Sequence, residues 1–202
     1  QAAVGPLSDR FGRRMPIIVG LVLYVIGSAG CALAQSPLTL DAARFLQACG
    51  SCTGTVLARA CVRDLFQPRE AARIFAQMLL ILSVSPLFAP FVGGWMLVIT
   101  GWRSLFWLQA AAAALTLVVV WHGLPESHPG SDRRLHPLHV LKDYWEIGRD
   151  RNFHGYVVPS ILSGAGLYVF LTGWPHVVID VYNIAPQYFG FTFVLNGVGL
   201  VV

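Results

Sequence analysis

Apolar residues gather in long blocks separated by short polar connections. Blocks fall at 16–34, 38–58, 74–99, 104–121 and 153–175, and another runs from 187 to 202. A helix of about 20 apolar residues crosses the hydrocarbon core of a bilayer, and most of these blocks have that length. The pattern predicts an all-α polytopic membrane helix bundle. A first group of spans occupies 1–121, a polar stretch occupies 122–152, and a second group starts at 153 and continues to 202. Residues 1–5 read as the tail of an earlier span and the last block reads as cut short. The expectation is a piece of a longer protein.

Composition strengthens this reading. The apolar fraction is 55% and the charged fraction 12%, the latter about half the usual soluble share. A soluble chain of 202 residues has no interior large enough to hide that much hydrocarbon. The net charge of +4 does not point to nucleic acid, because the basic residues sit between spans and form no aromatic-interleaved stripe.

Charge also orients the spans. Connection 6–15 holds Arg10, Arg13 and Arg14, and connection 59–73 holds Arg59, Arg63, Arg69 and Arg73. Stretch 122–152 holds Arg133, Arg134, Lys142, Arg149 and Arg151. The alternate connections hold only Arg103, so 12 of the 14 Lys and Arg lie on one side. Positively charged connections stay in the cytoplasm, which places 6–15, 59–73 and 122–152 inside the cell.

Other clusters carry less. Cys49 and Cys52 form a CxxC, but on a helix they are i,i+3 neighbours that behave as small apolar side chains. His122, His128, His136 and His139 lack a rigid i,i+4 frame, so 122–152 reads as a solvated linker rather than a metal site. Within it, 138–149 has the pattern of an amphipathic surface helix. No nucleophile–base pair or phosphate loop is present, and the expectation is no enzyme activity, no metal and no cofactor.

Three stretches remain that plain span sequence does not explain. The first is Gly5-Pro6-Leu7-Ser8-Asp9-Arg10-Phe11-Gly12-Arg13-Arg14. Its arginines suit a topology determinant, but Asp9 just beyond a helix C-terminus is an anion in an unfavourable place and needs a cationic or helix N-terminal partner. The second is Arg44-Phe45-Leu46-Gln47-Ala48-Cys49-Gly50. An arginine about two turns inside an apolar helix is costly, about 2.5–3.5 kcal/mol at the helix centre and less nearer the edge, so Arg44 calls for a cavity and a partner. Asp41, at i−3, is one candidate; a role in proton exchange or substrate binding is the other reading. The third is 85–94, where Pro86, Pro90, Gly93 and Gly94 predict a bent helix with a close-packing face.

The first stretch resembles the loop between helices two and three of the major facilitator superfamily, Gly-x-Leu-x-Asp-Arg-x-Gly-Arg-Arg/Lys. The second resembles the Arg-x-x-Gln-Gly segment of proton-coupled members, with Ala48 where many have Gly. The third resembles the fifth-helix signature of drug/proton antiporters. Segments 58–66, 101–106, 124–127 and 180–190 look like the bicyclomycin/chloramphenicol-resistance (Bcr/CflA) branch. The resemblance implies a partial major facilitator fold, from the end of helix two to part of helix eight of a twelve-helix transporter whose two halves rock about a midplane cavity.

By that resemblance, Gly5, Asp9, Arg10, Gly12, Arg13, Arg14 and Asp64 form a conformational latch, with Arg13 pairing with Asp64. Arg44, Gln47 and Gly50 serve proton coupling or substrate binding. Pro86, Pro90, Gly93 and Gly94 form the antiporter motif. Phe45, Phe75, Tyr168, Phe170 and Trp174 are cavity candidates. The implied activity is proton-coupled export of small apolar compounds, including antibiotics, across a bacterial inner membrane by a protein that is monomeric at full length. The proton gradient is the energy source, and the proton-carrying acid belongs on a first helix outside these residues. A metabolite-specific exporter or uptake carrier, or an inactive remnant, stays open beside it.

Overall fold

The computed structural model describes residues 8, 11–126, 148–185, 188 and 190–192. Among them every regular element is helical. The helices are α1 (Arg14–Leu33), α2 (Pro37–Leu65), α3 (Pro68–Thr100), α4 (Trp102–Gly123) and α5 (Arg151–His176). A π-helical turn, Val177–Val181, follows α5.

Local chemistry sets the joints. Ser36 caps α2: its Oγ accepts from the Thr39 N–H at 3.3 Å, its own N–H donates to Thr39 Oγ1 at 3.1 Å, and Pro37 opens the first turn. This reciprocal box satisfies two amides that the helix leaves open. Pro68 begins α3, where a missing N–H costs nothing. Gly101 joins α3 to α4 at φ 82°, in the left-handed half of backbone space where a Cβ is disfavoured.

α1 packs most extensively on α2 and next on α4; α3 touches α4 and α2 more sparsely. The α1–α2 seam is a close backbone approach. A Cβ on Gly50 would lie 2.5 Å from Gly20 O and 2.5 Å from Tyr24 N, and one on Gly27 would lie 2.5 Å from Gln47 N. Gly20 faces Thr53 with no room for a Cβ. Lipid offers no hydrophobic drive between helices, so small residues that admit dense backbone contact supply the attraction. Two apolar clusters flank the seam. Ile17, Leu57 and Cys61 pack with Val120 and Leu124, while Cys31, Ala32 and Phe106 pack with Leu40 and Ala43.

The helices overrun the apolar blocks. α2 continues past 58 to Leu65 and α3 starts at Pro68 rather than 74. Stretch 59–73 is therefore helix, broken at Phe66 and Gln67, and not an open connection. Hydropathy marks where lipid ends, whereas backbone hydrogen bonding continues into water. α4 and α5 likewise extend to Gly123 and back to Arg151, shortening 122–152 from both sides.

By length and composition, α1, α4 and the segment Phe153–Val181 are apolar enough to cross a membrane, and a fourth span is the bent pair Pro68–Ser85 and Phe88–Thr100. α2 is not among them; Asp41, Arg44, Gln47 and Arg59 dilute its apolar face. It is held in the bundle by the glycine seam and by the polar contacts described next. All of the stretch 127–147, with nearly all of the expected surface helix at 138–149, and most of the last apolar block lie outside the described residues.

Candidate functional site

Connectors from distant parts of the chain meet at two opposite ends of the α1–α2–α4 bundle. The basic end gathers Arg13, Arg14, Asp64, Trp121 and Glu126. Arg13 Nε donates to Asp64 Oδ2 at 2.9 Å, and Arg13 Nη1 donates to Ser8 Oγ. Arg14 Nη2 donates to the Trp121 carbonyl at 2.6 Å. An arginine on the last carbonyls of α4 offsets the negative end of that helix.

Glu126 completes this clasp. Its carboxylate accepts from the Arg13 N–H at 2.7 Å and from the Arg14 N–H at 3.4 Å. These are the open amides at the start of α1, so a side chain 113 residues away caps that helix. Gly12 makes this possible. Its φ is 83°, and a Cβ there would fall 2.7 Å from the Glu126 carboxyl carbon. Of the expected latch residues, the structure brings together Gly12, Arg13, Arg14 and Asp64. Gly5, Asp9 and Arg10 lie outside the described residues. Glu126 was missed as a site residue; its only sequence signal is an acid right after a helix-ending Leu-Pro.

At the neutral end, Arg103 Nη2 donates to the Ala34 carbonyl at 3.0 Å and its guanidinium lies 4.3 Å from the Trp102 ring centroid. The one basic residue of the neutral connections thus caps the C-terminus of α1.

Between the two ends runs a chain of polar side chains. Arg44 Nη1 donates to Gln47 Oε1 at 3.0 Å, and its guanidinium stands 4.7 Å from the Phe106 ring centroid. Gln47 is 4% exposed, and its Nε2 donates to Ser28 Oγ at 2.7 Å and to Gln109 Oε1 at 2.8 Å. Ser28 donates in turn to the Tyr24 carbonyl at 2.8 Å. This chain ties α1, α2 and α4 together beside the seam that Gly50 keeps tight. Arg44 therefore has partners on α2 and α4, and Asp41 is not one of them among the described bonds. Asp41 is exposed, in the second turn of α2.

α3 bends by 42° between Ser85 and Phe88, at Pro86. Pro cannot donate to the helical ladder and its ring crowds the preceding turn. The expected close-packing face is not formed by the described residues at Gly93, where a Cβ would meet nothing within 4 Å. The contact falls two residues earlier: Phe91 meets Phe191 edge-on at 5.0 Å, and Gly190 lies against the Phe91 ring. Pro90 and Gly94 lie on the same half-buried stretch. The bent helix thus touches the second group of spans.

The aromatic candidates separate. Phe170 stacks on Trp174 at 5.3 Å, and Trp174 Nε1 donates to Thr192 Oγ1 at 3.2 Å. Phe45 and Tyr168 are 74% and 71% exposed, and among the described residues neither they nor half-buried Phe75 join that stack. Cys31, Cys49, Cys52 and Cys61 are all free thiols.

The family model of the Major Facilitator Superfamily matches residues 1–202. An uncharacterized MFS-type transporter, YdgK of Bacillus subtilis, is 33% identical over 100% of this chain and 51% of its own length. A bicyclomycin resistance protein homolog of Haemophilus influenzae is 26% identical over 98% of the chain and 50% of its own. Multidrug resistance protein D of Escherichia coli is 30% identical over 84% of the chain and 42% of its own. The chain spans about half the length of the curated relatives it matches. The first of these relatives is named as a transporter, and the apolar helices are those of an integral membrane protein. The match over all 202 residues makes this chain a member of the major facilitator superfamily.

Proposed function

We propose that this chain is part of a proton-coupled efflux transporter that exports small apolar compounds, antibiotics among them, across a bacterial inner membrane. The observation that carries the reading is Arg44, a cation on α2 held by Gln47 and Phe106 where α2 packs against the apolar spans α1 and α4. Charges at such depth are costly and are kept where protons or substrates move. A positive charge there favours the ionised form of a nearby carboxylate, and so it tunes when a proton is taken up or released. The relatives named for bicyclomycin and multidrug resistance support an apolar, drug-like cargo.

The clasp at the basic end supports alternating access. It fuses the start of α1, the end of α2 and the end of α4 into one rigid unit, as a rocking half requires. Phe91 on α3 then supplies a contact across which the second group moves.

Cells expressing the full reading frame test this. They should accumulate less of several apolar drugs than controls, and a protonophore should erase the difference. Equal accumulation with and without the protein, together with altered amino-acid or sugar flux, refutes the drug reading in favour of a metabolite carrier.

A further inference from the structure

The polar chain beside Arg44 has only one possible polarity. Arginine carries donors and no acceptor, so Gln47 must present Oε1 to Arg44. The Gln47 amide nitrogen then faces away, with two hydrogens to place. Ser28 Oγ takes one at 2.7 Å, because the Ser28 hydrogen is itself given to the Tyr24 carbonyl. Gln109 Oε1 takes the other at 2.8 Å. No hydrogen bond joins Arg44 to Gln109 directly.

Gln109 stands among apolar neighbours on α4, between Leu108 and Ala110, and no motif singles it out. Its acceptor reinforces the orientation that Arg44 imposes on the Gln47 amide. Without it, one amide hydrogen of a side chain that is 4% exposed is left bare, a cost that buried donors rarely carry. Reversing the amide aims an N–H at the guanidinium, donor against cation.

We propose that Gln109 is a positioning residue: it holds the Gln47 amide so that its oxygen fixes the Arg44 guanidinium over Phe106. The use of that charge in coupling rests on the function proposed above; the positioning itself does not.

The test uses the full-length protein in detergent with glutamine side chains labelled by nitrogen-15. The Gln47 amide signals are assigned by their loss in Gln47→Leu. Both hydrogens should exchange slowly in the wild type. In Gln109→Leu one of the pair should exchange at least about tenfold faster, while Gln109→Glu, which keeps an acceptor, should protect both. Equal protection of both hydrogens in Gln109→Leu overturns the proposal.

A second measurement reads action through Gln47. Thermal unfolding of Arg44→Ala, Gln109→Leu and the double variant should be non-additive by at least about threefold in the unfolding equilibrium, although the two residues share no bond. Strict additivity overturns the proposal. Neither readout requires transport, so a wild type without proton-driven efflux refutes the functional reading alone.

Discussion

Gly50→Ala is the most informative single change, because it couples packing to the polar chain. The new Cβ would lie 2.5 Å from Gly20 O and Tyr24 N, both backbone atoms that have no rotamer to escape into. Ordinary contact begins near 3.4 Å, so α1 and α2 must part by about 0.9 Å at this level. Gln47 lies one turn away on α2, and its bond to Ser28 on α1 is 2.7 Å long. The same displacement stretches that bond to about 3.6 Å, beyond hydrogen-bonding range. Overpacking costs about 1–3 kcal/mol, and each interhelical hydrogen bond lost in a membrane costs about 0.6 kcal/mol. Alanine returns up to about 1 kcal/mol of helix propensity.

The net loss for Gly50→Ala is thus about 0.6–2.6 kcal/mol. Gly54, four residues on along the same helix, provides the control. A Cβ there meets nothing within 4 Å, so Gly54→Ala should be neutral or slightly stabilising. Thermal unfolding of the full-length protein in detergent, followed by tryptophan fluorescence, measures both. Gly50→Ala should melt below the wild type and Gly54→Ala at or above it. Equal melting of the two variants refutes the close-approach argument.

Other expectations follow from the clasp and the polar chain. Glu126→Gln weakens the cap on α1, and hydrogen exchange at the Arg13 and Arg14 amides should rise about fivefold, equivalent to a loss of about 1 kcal/mol; unchanged exchange removes Glu126 from the cap. Asp64→Asn breaks the pair with Arg13, and Asp9→Asn alters the same loop. Each should lower efflux well below wild type at equal membrane insertion, and wild-type efflux by either variant removes that acid from the latch. Arg44→Ala should reduce proton-driven efflux more than thermal stability; a variant that melts early yet transports normally makes Arg44 structural.

The sequence made the larger features legible because they rest on local rules. Blocks of about 20 apolar residues announce most of the spans, and Pro86 announces the bend in α3. The pairing of Arg13 with Asp64 was legible only through family resemblance, since 51 residues separate them. Contacts set by how helices face one another stayed hidden. Glu126 reaches back to the start of α1, and only its place after a helix-ending Leu-Pro marks it locally. Gln109 is a lone amide in an apolar helix whose meaning appears only once Gln47 lies opposite. Spacing offered Asp41 at i−3 as the neighbour of Arg44, whereas the structure pairs it with Gln47 at i+3. Phe106, on another helix, fixes where the guanidinium lies.

Sidedness is the claim on which the clasp, the latch and the direction of transport all depend. Single cysteines replacing Phe11 and Gln67, on a background without the four native thiols, report it through a membrane-impermeant maleimide added to intact cells. Both should stay unlabelled until the cells are opened, while a cysteine replacing Gln35 should label from outside. Labelling of Phe11→Cys or Gln67→Cys in intact cells, with Gln35→Cys shielded, contradicts the account.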